Sequence, residues 1–113
     1  MTDGDEAVPE VGPEVAVVRV AAGTPLIDVR EQYEWAVSHA PDAHLIPLGE
    51  LEARLSELPR DREILVICQS GLRSELAAQF LRRCGFDAAT VLGGMLAWTA
   101  AGGEIDSSDR DHP

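Results

Sequence analysis

Short runs of apolar residues recur along the chain, separated by segments whose apolar positions follow a longer period. The run EILVIC is apolar at every position after the first, which is typical of a strand buried on both faces of a parallel sheet. Glycine, proline and polar residues bound the other runs, as is usual for short strands. The pattern predicts strands at residues 8–11, 25–29, 44–48, 63–68 and 88–92.

The segments between these runs show the three- and four-residue spacing of amphipathic helices. From Leu72 to Cys84 the apolar residues fall on one face, and Gly85 follows as a residue suited to end a helix. Leucines repeat at the same spacing between positions 48 and 58. Helices are therefore predicted over residues 31–38, 48–58, 72–84 and 94–101.

Residues 14–22 fit two kinds of structure. Pro13 in front and Gly23 behind suit a helix, because proline is favoured in the first turn and glycine after the last. The four valines of the segment favour a strand, because β-branched side chains lose freedom in a helix. We predict a helix here.

The alternation of strands and helices predicts an α/β domain, with a mostly parallel central sheet of about five strands flanked by helices. In such sheets the carboxyl ends of the strands lie at one edge, where binding and catalytic residues gather. Cys68 ends one predicted strand, and the stretch from Asp28 to Arg30 ends another. These residues are therefore expected to share one rim.

The negative charge of the chain is concentrated at its two ends. The 113 residues carry a net charge of −11, and residues 1–14 contain five acidic side chains and no basic one. Residues 1–7 and 106–113 are predicted to be acidic, disordered tails around a domain of residues 8–105. This charge argues against nucleic acid or an anionic membrane as a partner. A monomer is expected.

The expected location and the expected absence of a metal site rest on sequence signals that are missing from the chain. No apolar run is long enough to span a membrane, and the acidic N-terminus has no secretion signal. Two cysteines without such a signal indicate a reducing compartment, so a cytoplasmic location is expected. The three histidines lack the spacing of metal ligands, and no metal site is predicted.

The stretch CQSGLRS, residues 68–74, follows the most apolar strand and carries the candidate chemistry. A helix that begins within it requires a sharp turn, and Gly71 can take the positive φ that such a turn needs. Loop N–H groups, the helix start and Arg73 would then lower the pKa of Cys68 from its usual ~8.5. Ser74 is expected to cap free N–H groups. By itself the stretch fits a reactive thiol and an ordinary buried cysteine equally well.

Three stretches in this order resemble the rhodanese (sulfurtransferase) domain family: LIDVREQYEWAVSHAPDAHLIPLGEL, ILVICQSGLRS and VLGGMLAW. The Cys-x-x-Gly-x-Arg-Ser loop after an apolar strand is the most diagnostic of them. The resemblance covers residues 8–105 and implies the rhodanese fold. Where the family often has Gly-His-Ile-Pro-Gly-Ala, this chain has Ser-His-Ala-Pro-Asp-Ala, which changes a turn and leaves the nucleophile in place.

The resemblance implies that Cys68 is a catalytic nucleophile. It would take a sulfane sulfur from a donor such as thiosulfate, become a persulfide, and pass the sulfur to cyanide or a thiol. No metal or organic cofactor is implied. The expected partners are a small sulfur-containing anion or a thiol persulfide, together with a sulfur-acceptor protein. The loop that would bind the substrate consists of Gln69, Ser70, Gly71, Leu72, Arg73 and Ser74.

Loop length and loop charge separate sulfur transfer from its alternatives. Cysteine-based phosphatases and arsenate reductases place one more residue between cysteine and arginine, which forms a wider loop for a tetrahedral anion. Gln69 is neutral where efficient thiosulfate users often have a basic residue, so a cysteine persulfide or a partner protein is an equal candidate as donor. The alternative function is a sulfur-relay or regulatory binding module with little free turnover.

The other polar residues of interest are expected to be structural. Cys84 lies on the apolar face of its helix and is predicted to be part of the core, with a resolving thiol as the alternative. Asp28 and Arg30 are secondary rim candidates, expected to hold loops together more than to touch substrate. Glu31 and Glu34 are expected to lie on a solvated helix face, with pairing of Glu34 to Arg30 as the secondary alternative, and His39 is expected to form a structural hydrogen bond.

Overall fold

The strands are short and lie where the apolar runs predict them. The computed structural model describes residues 7–107. Its strands are β1 (Glu10–Val11), β2 (Leu26–Asp28), β3 (Ala43–Leu45), β4 (Ile64–Ile67) and β5 (Ala88–Val91). All of them pair in parallel in one sheet, in the order β1-β5-β4-β2-β3. The predicted mostly parallel sheet of about five strands is confirmed.

Helices cover both faces of the sheet. They are α1 (Pro13–Ala21), α2 (Gln32–Val37), α3 (Leu72–Arg83) and α4 (Gly94–Ala100), with 3₁₀ helices at Leu48–Glu50 and Glu52–Glu57. The ambiguous segment at α1 is a helix, as predicted. Its Ala16 and Val20 lie one turn apart and are buried in the same apolar cluster. Burial of this face therefore outweighs the weak helix preference of the valines.

The central strand β4 divides the interior into two apolar clusters. Ile64 and Val66 belong to the cluster that also contains the buried face of α3. Leu65 and Ile67 belong to the cluster that contains the buried residues of α1 and α4. Successive side chains of a strand point to opposite faces, so each pair serves one side of the sheet. All four residues are fully buried, which confirms the predicted central position of this strand.

The leucine stripe between positions 48 and 58 does not form one α-helix, so that prediction is wrong. The segment contains two 3₁₀ helices, and Arg54 has non-helical backbone angles (φ −119°, ψ 21°). Leu51 and Leu58 are buried, so the stripe does mark the face that packs on the core. A 3₁₀ helix rises about 2.0 Å per residue, more than an α-helix. The segment therefore spans a longer path between β3 and β4 with the same number of residues.

The last described residues pack against the domain. Asp106 and His39 exchange two backbone hydrogen bonds, with N–O distances of 2.9 and 2.7 Å. The Ser107 hydroxyl donates to the carbonyl of Ala36 at 3.2 Å. These contacts lie beyond residue 105, where the domain is predicted to end.

Most of each predicted tail lies outside the described residues. Of the tails at 1–7 and 106–113, only residues 7, 106 and 107 are described. Within the described part of the chain, no helix combines the length and the apolar character needed to cross a membrane.

Candidate functional site

A glycine turn links the end of β4 to the start of α3. Gly71 has a φ of 121°, in a region that side-chain-bearing residues rarely adopt. The turn directs the backbone N–H groups of Gly71 and Ser74 at Cys68 Sγ, with N–S distances of 3.1 and 3.3 Å. The positive φ expected at Gly71 is therefore observed, and the loop forms a cradle of backbone donors around the sulfur.

A second glycine allows α4 to lie against the same loop. The Met95 N–H donates to the carbonyl of Cys68 at 2.8 Å, and the Leu96 N–H donates to the carbonyl of Gln69 at 3.2 Å. A Cβ on Gly94 would overlap both carbonyl oxygens. The close approach of α4 thus requires glycine at this position and fixes the loop through its backbone.

The surroundings of Cys68 act on the pKa of its thiol in opposite directions. Burial raises the pKa, because the thiolate loses contact with water. Hydrogen bonds from the Ser74 hydroxyl and from the N–H groups of Ser74, Gly71 and Ser70 stabilise the thiolate and lower the pKa. The hydrogen bonds outweigh burial, so the pKa of Cys68 lies below its ordinary value.

Arg73 ties the loop to α2 through an ion pair with Glu34. Two parallel hydrogen bonds of 2.8 Å join the guanidinium to the carboxylate. These bonds lower the pKa of Glu34 to about 2, against the opposing effect of burial. Glu34 also accepts the N–H of Glu31 at 2.9 Å, in a capping box that begins α2. Glu34 is therefore part of a partly buried ion pair and not of a solvated face, and its partner is Arg73 and not Arg30, the secondary alternative.

Asp28 and Arg30 form a buried ion pair at the end of β2. Both side chains are at least 98% buried, and their shortest N–O distance is 2.9 Å. Arg30 also donates to the Ser38 carbonyl at 2.7 Å and to the Gln69 side-chain oxygen at 3.2 Å. The structure places Asp28 and Arg30 on the rim that also carries Cys68. There they join the β2 rim to the Cys68 loop.

Ser74 does not cap α3, contrary to expectation. Gly71 occupies the N-cap position, and no side chain caps this helix. The Ser74 hydroxyl instead donates to the Gly71 carbonyl at 3.1 Å and lies 3.5 Å from Cys68 Sγ. It also lies 2.7 Å from Thr90 Oγ1. Sequence reasoning does not single out Thr90, whose only signal is one hydroxyl in the apolar run AATVL.

The outer side of the loop is exposed and partly apolar. Leu72 is 67% exposed and Leu96 is 61% exposed, whereas Cys68 is 1% exposed. A cavity of about 310 Å³ lies next to the loop. Its lining includes Ser70, Gly71, Leu72, Leu92 and the acidic residues Glu10 and Glu75. The surface next to the loop therefore carries both apolar and acidic side chains.

The remaining candidates make packing and hydrogen-bond contacts within the fold. Cys84 is half-buried and packs against the apolar cluster beneath α3, in line with the predicted core role. His39 Nδ1 lies 2.7 Å from the Trp35 carbonyl oxygen, and the two rings stack at 3.8 Å, so the hydrogen bond predicted for His39 is present. Among residues 7–107, no group of three or more His, Cys, Asp or Glu side chains could hold a metal ion.

Known proteins are similar to this chain in sequence and in fold. The profile of the family described as rhodanese-like domain matches residues 14–101. The chain is 39% identical over 101 residues to the putative sulfur carrier protein YrkF of Bacillus subtilis (strain 168). This alignment covers 87% of this chain and 55% of YrkF. It is 41% identical over 73 residues to the putative sulfurtransferase YtwF of the same strain, covering 65% of this chain and 71% of YtwF.

Among solved structures, the crystal structure of a rhodanese-related protein from Thermoplasma volcanium matches with a TM-score of 0.79 and 28% identity. The match covers 87% of this chain and 97% of that one, so the whole fold is shared. The chain spans about half the length of YrkF, so its match there is to one part of a longer protein. Together, the profile match, these identities and the shared fold show that the chain belongs to the rhodanese-like domain family.

Proposed function

We propose that this chain transfers sulfane sulfur through a persulfide on Cys68. The observation that carries the proposal is the cradle around the sulfur, in which the N–H groups of Gly71 and Ser74 point at Cys68 Sγ. The same contacts lower the pKa of the thiol, and a thiolate is the nucleophilic form of cysteine. Relatives named as a sulfur carrier and as sulfurtransferases support a role in sulfur transfer.

With thiosulfate as donor, the Cys68 thiolate attacks the outer sulfur. A new S–S bond forms to Cys68, the S–S bond of thiosulfate breaks, and sulfite leaves with the electron pair. Cyanide or a thiolate then attacks the terminal sulfur of the persulfide, which releases the Cys68 thiolate again. The loop of residues 69–74 is proposed to hold the terminal sulfur through its N–H groups.

The charges of the loop region do not favour thiosulfate over other donors. Arg73 is paired with Glu34, and Arg30 is paired with Asp28. The neutral Gln69 accepts a hydrogen bond from Arg30. With these cations compensated and a net charge of −11, little attraction is left for a dianion. A cysteine persulfide is therefore an equal candidate as donor.

The second candidate function is a sulfur relay that works on a protein partner. It is favoured by the exposed side chains of Leu72 and Leu96 beside the loop, since large apolar groups at a site entrance are typical of protein contacts. Glu10 and Glu75 in the neighbouring cavity would suit a partner with a basic side chain.

Both cysteines are free thiols, which fits the proposed cytoplasmic location.

The test is intact-mass spectrometry of the reduced protein after incubation with thiosulfate or, separately, with a cysteine persulfide. We expect a gain of about 32 Da, one sulfur atom, that cyanide removes. Cys84→Ser should retain this gain, and Cys68→Ser should lose it. Absence of the adduct with both donors would contradict the proposal.

Turnover distinguishes the enzyme from the relay. An enzyme acting on small molecules forms thiocyanate catalytically from thiosulfate and cyanide. A relay also forms the Cys68 persulfide, but it turns over slowly with thiosulfate and cyanide and transfers its sulfur rapidly only to an acceptor protein. Rapid catalytic thiocyanate formation by the parent and by Cys84→Ser, but not by Cys68→Ser, would argue against the relay.

A further inference from the structure

Thr90 carries a buried hydroxyl next to Ser74 of the Cys68 loop, and the proposed sulfur transfer does not use it. It lies on β5 between Glu10 of β1 and Val66 of β4, and it is 3% exposed. Its N–H donates to the Pro9 carbonyl at 3.0 Å, which fixes its backbone. A buried hydroxyl is unfavourable unless it is hydrogen-bonded, and Thr90 Oγ1 lies 2.7 Å from Ser74 Oγ.

The hydrogen-bond roles follow from the number of protons available. The Ser74 hydroxyl has a single proton, and the Gly71 carbonyl can only accept. While Cys68 is a thiol, its S–H donates to Ser74 Oγ, and the Ser74 proton goes to Gly71. Thr90 must then be the donor in its contact with Ser74.

The same count applies when Cys68 is ionised. The thiolate has no proton, so a favourable contact with Ser74 requires the serine proton to point at Sγ. The Ser74 oxygen is then free to accept, and Thr90 again donates to it. Thr90 is therefore the donor in both states, whereas the Ser74 proton turns from the Gly71 carbonyl to the sulfur.

We propose that Thr90 is a positioning residue that acts on Cys68 through Ser74. By donating to Ser74 Oγ, it keeps this hydroxyl next to the sulfur and polarises its O–H bond toward the thiolate. The inference deepens the proposed function, since it concerns the nucleophile on which sulfur transfer would rest. Its test measures the thiol itself and does not depend on sulfur transfer.

No charged group changes when the Thr90 hydroxyl is removed. Strands β4 and β5 and helix α4 contain no ionisable side chain. The ionisable groups that the other elements bring to the loop region are Glu10, Asp28, Arg30, Tyr33, Glu34, Arg73 and Glu75. Because Thr90→Val is neutral and close to threonine in shape, a change in the pKa of Cys68 would report the lost hydrogen bond.

The experiment follows the rate of alkylation by iodoacetamide against pH, detected by intact mass, in a Cys84→Ser background. For Thr90→Val we expect the pKa of Cys68 to rise by about half to one unit, roughly a three- to tenfold loss of thiolate below the pKa. Thr90→Ser restores the hydroxyl and should restore the pKa. Ser74→Ala should raise the pKa at least as much as Thr90→Val.

The double variant Ser74→Ala/Thr90→Val tests the route of the effect. If Thr90 acts through Ser74, adding Thr90→Val to Ser74→Ala leaves the pKa unchanged. An unchanged pKa in Thr90→Val, or an equal rise with and without Ser74, would overturn the proposal. Circular dichroism checks folding, and Thr90→Ala serves as the test if the valine variant is unfolded. A parent protein with a lowered pKa but no persulfide would instead count against the proposed function alone.

Discussion

At the scale of single residues, Gly71 and Gly94 shape the site from opposite sides of one loop. Gly71 turns the backbone so that two N–H groups meet the sulfur of Cys68. Gly94 leaves room for the first turn of α4, whose N–H groups bind the loop carbonyls. Backbone N–H groups of the loop therefore point at the sulfur, and backbone carbonyl groups of the loop accept hydrogen bonds from α4.

Replacing Gly94 with alanine should destabilise the protein by about 2–4 kcal/mol, because the added Cβ meets backbone carbonyls that cannot move aside cheaply. The φ of 59° adds to the strain. Urea denaturation measures the effect. Gly49→Ala is the matched control, since nothing lies within 4 Å of a Cβ there and its φ is not positive. Equal stability of the two variants would contradict the close approach of α4.

At the scale of elements, the Arg73–Glu34 ion pair joins α2 to α3. Glu34 serves two elements, because it also accepts the N–H of Glu31 at the start of α2. The pair thus couples the capping of α2 to the position of the Cys68 loop, which precedes α3. Its guanidinium interacts favourably with the Cys68 thiolate as well, although the hydrogen bonds to the sulfur are the larger causes of the lowered pKa.

Glu34→Gln should lower stability at neutral pH by about 1–2 kcal/mol, less than the full pKa shift implies, because the Arg73 side chain is about one-third exposed. The folded-state pKa of Glu34 is about 2, below its ordinary 4.5. Its contribution is therefore present above pH 4.5 and is lost as the pH falls toward 2. Urea denaturation between these limits should show the two proteins converging in acid.

Glu57→Gln provides the control for this prediction. Glu57 pairs with Arg54, and its pKa is likewise lowered to about 2, but its side chain is more exposed than that of Glu34. We expect Glu57→Gln to lose less stability than Glu34→Gln, and we expect added salt to reduce this loss further, because salt screens exposed charges. A loss in Glu34→Gln that stays constant from neutral to acid pH would show that the charge of Glu34 is not its cause.

At the scale of the whole molecule, the net charge of −11 opposes the approach of anionic donors. We therefore expect kcat/KM with thiosulfate to rise as ionic strength increases from about 10 to 200 mM, because salt screens the repulsion. Alkylation of Cys68 by the neutral reagent iodoacetamide should change little over the same range. A fall of kcat/KM with added salt would indicate local attraction at the site that the net charge does not reveal.

Local sequence patterns are enough to predict the class of fold and the place of the candidate site. The apolar pattern of β4 indicates a central parallel strand, and Pro13 with Gly23 correctly favours a helix between them. The position of Cys68 at a strand end and the need for glycine at residue 71 follow from the same local patterns. These features are readable because periodicity, turn chemistry and helix limits depend on neighbours along the chain.

Contacts between side chains that are distant in the sequence depend on how the elements pack. Arg73 pairs with Glu34, 39 residues away, and Ser74 contacts Thr90, 16 residues away. The order of strands and the placement of helices bring these partners together, and no local pattern distinguishes Glu34 paired with Arg30 from Glu34 paired with Arg73. The 3₁₀ winding of residues 48–57 likewise depends on the path between two strands. Local propensity sets the elements, whereas packing across the sheet chooses their contacts.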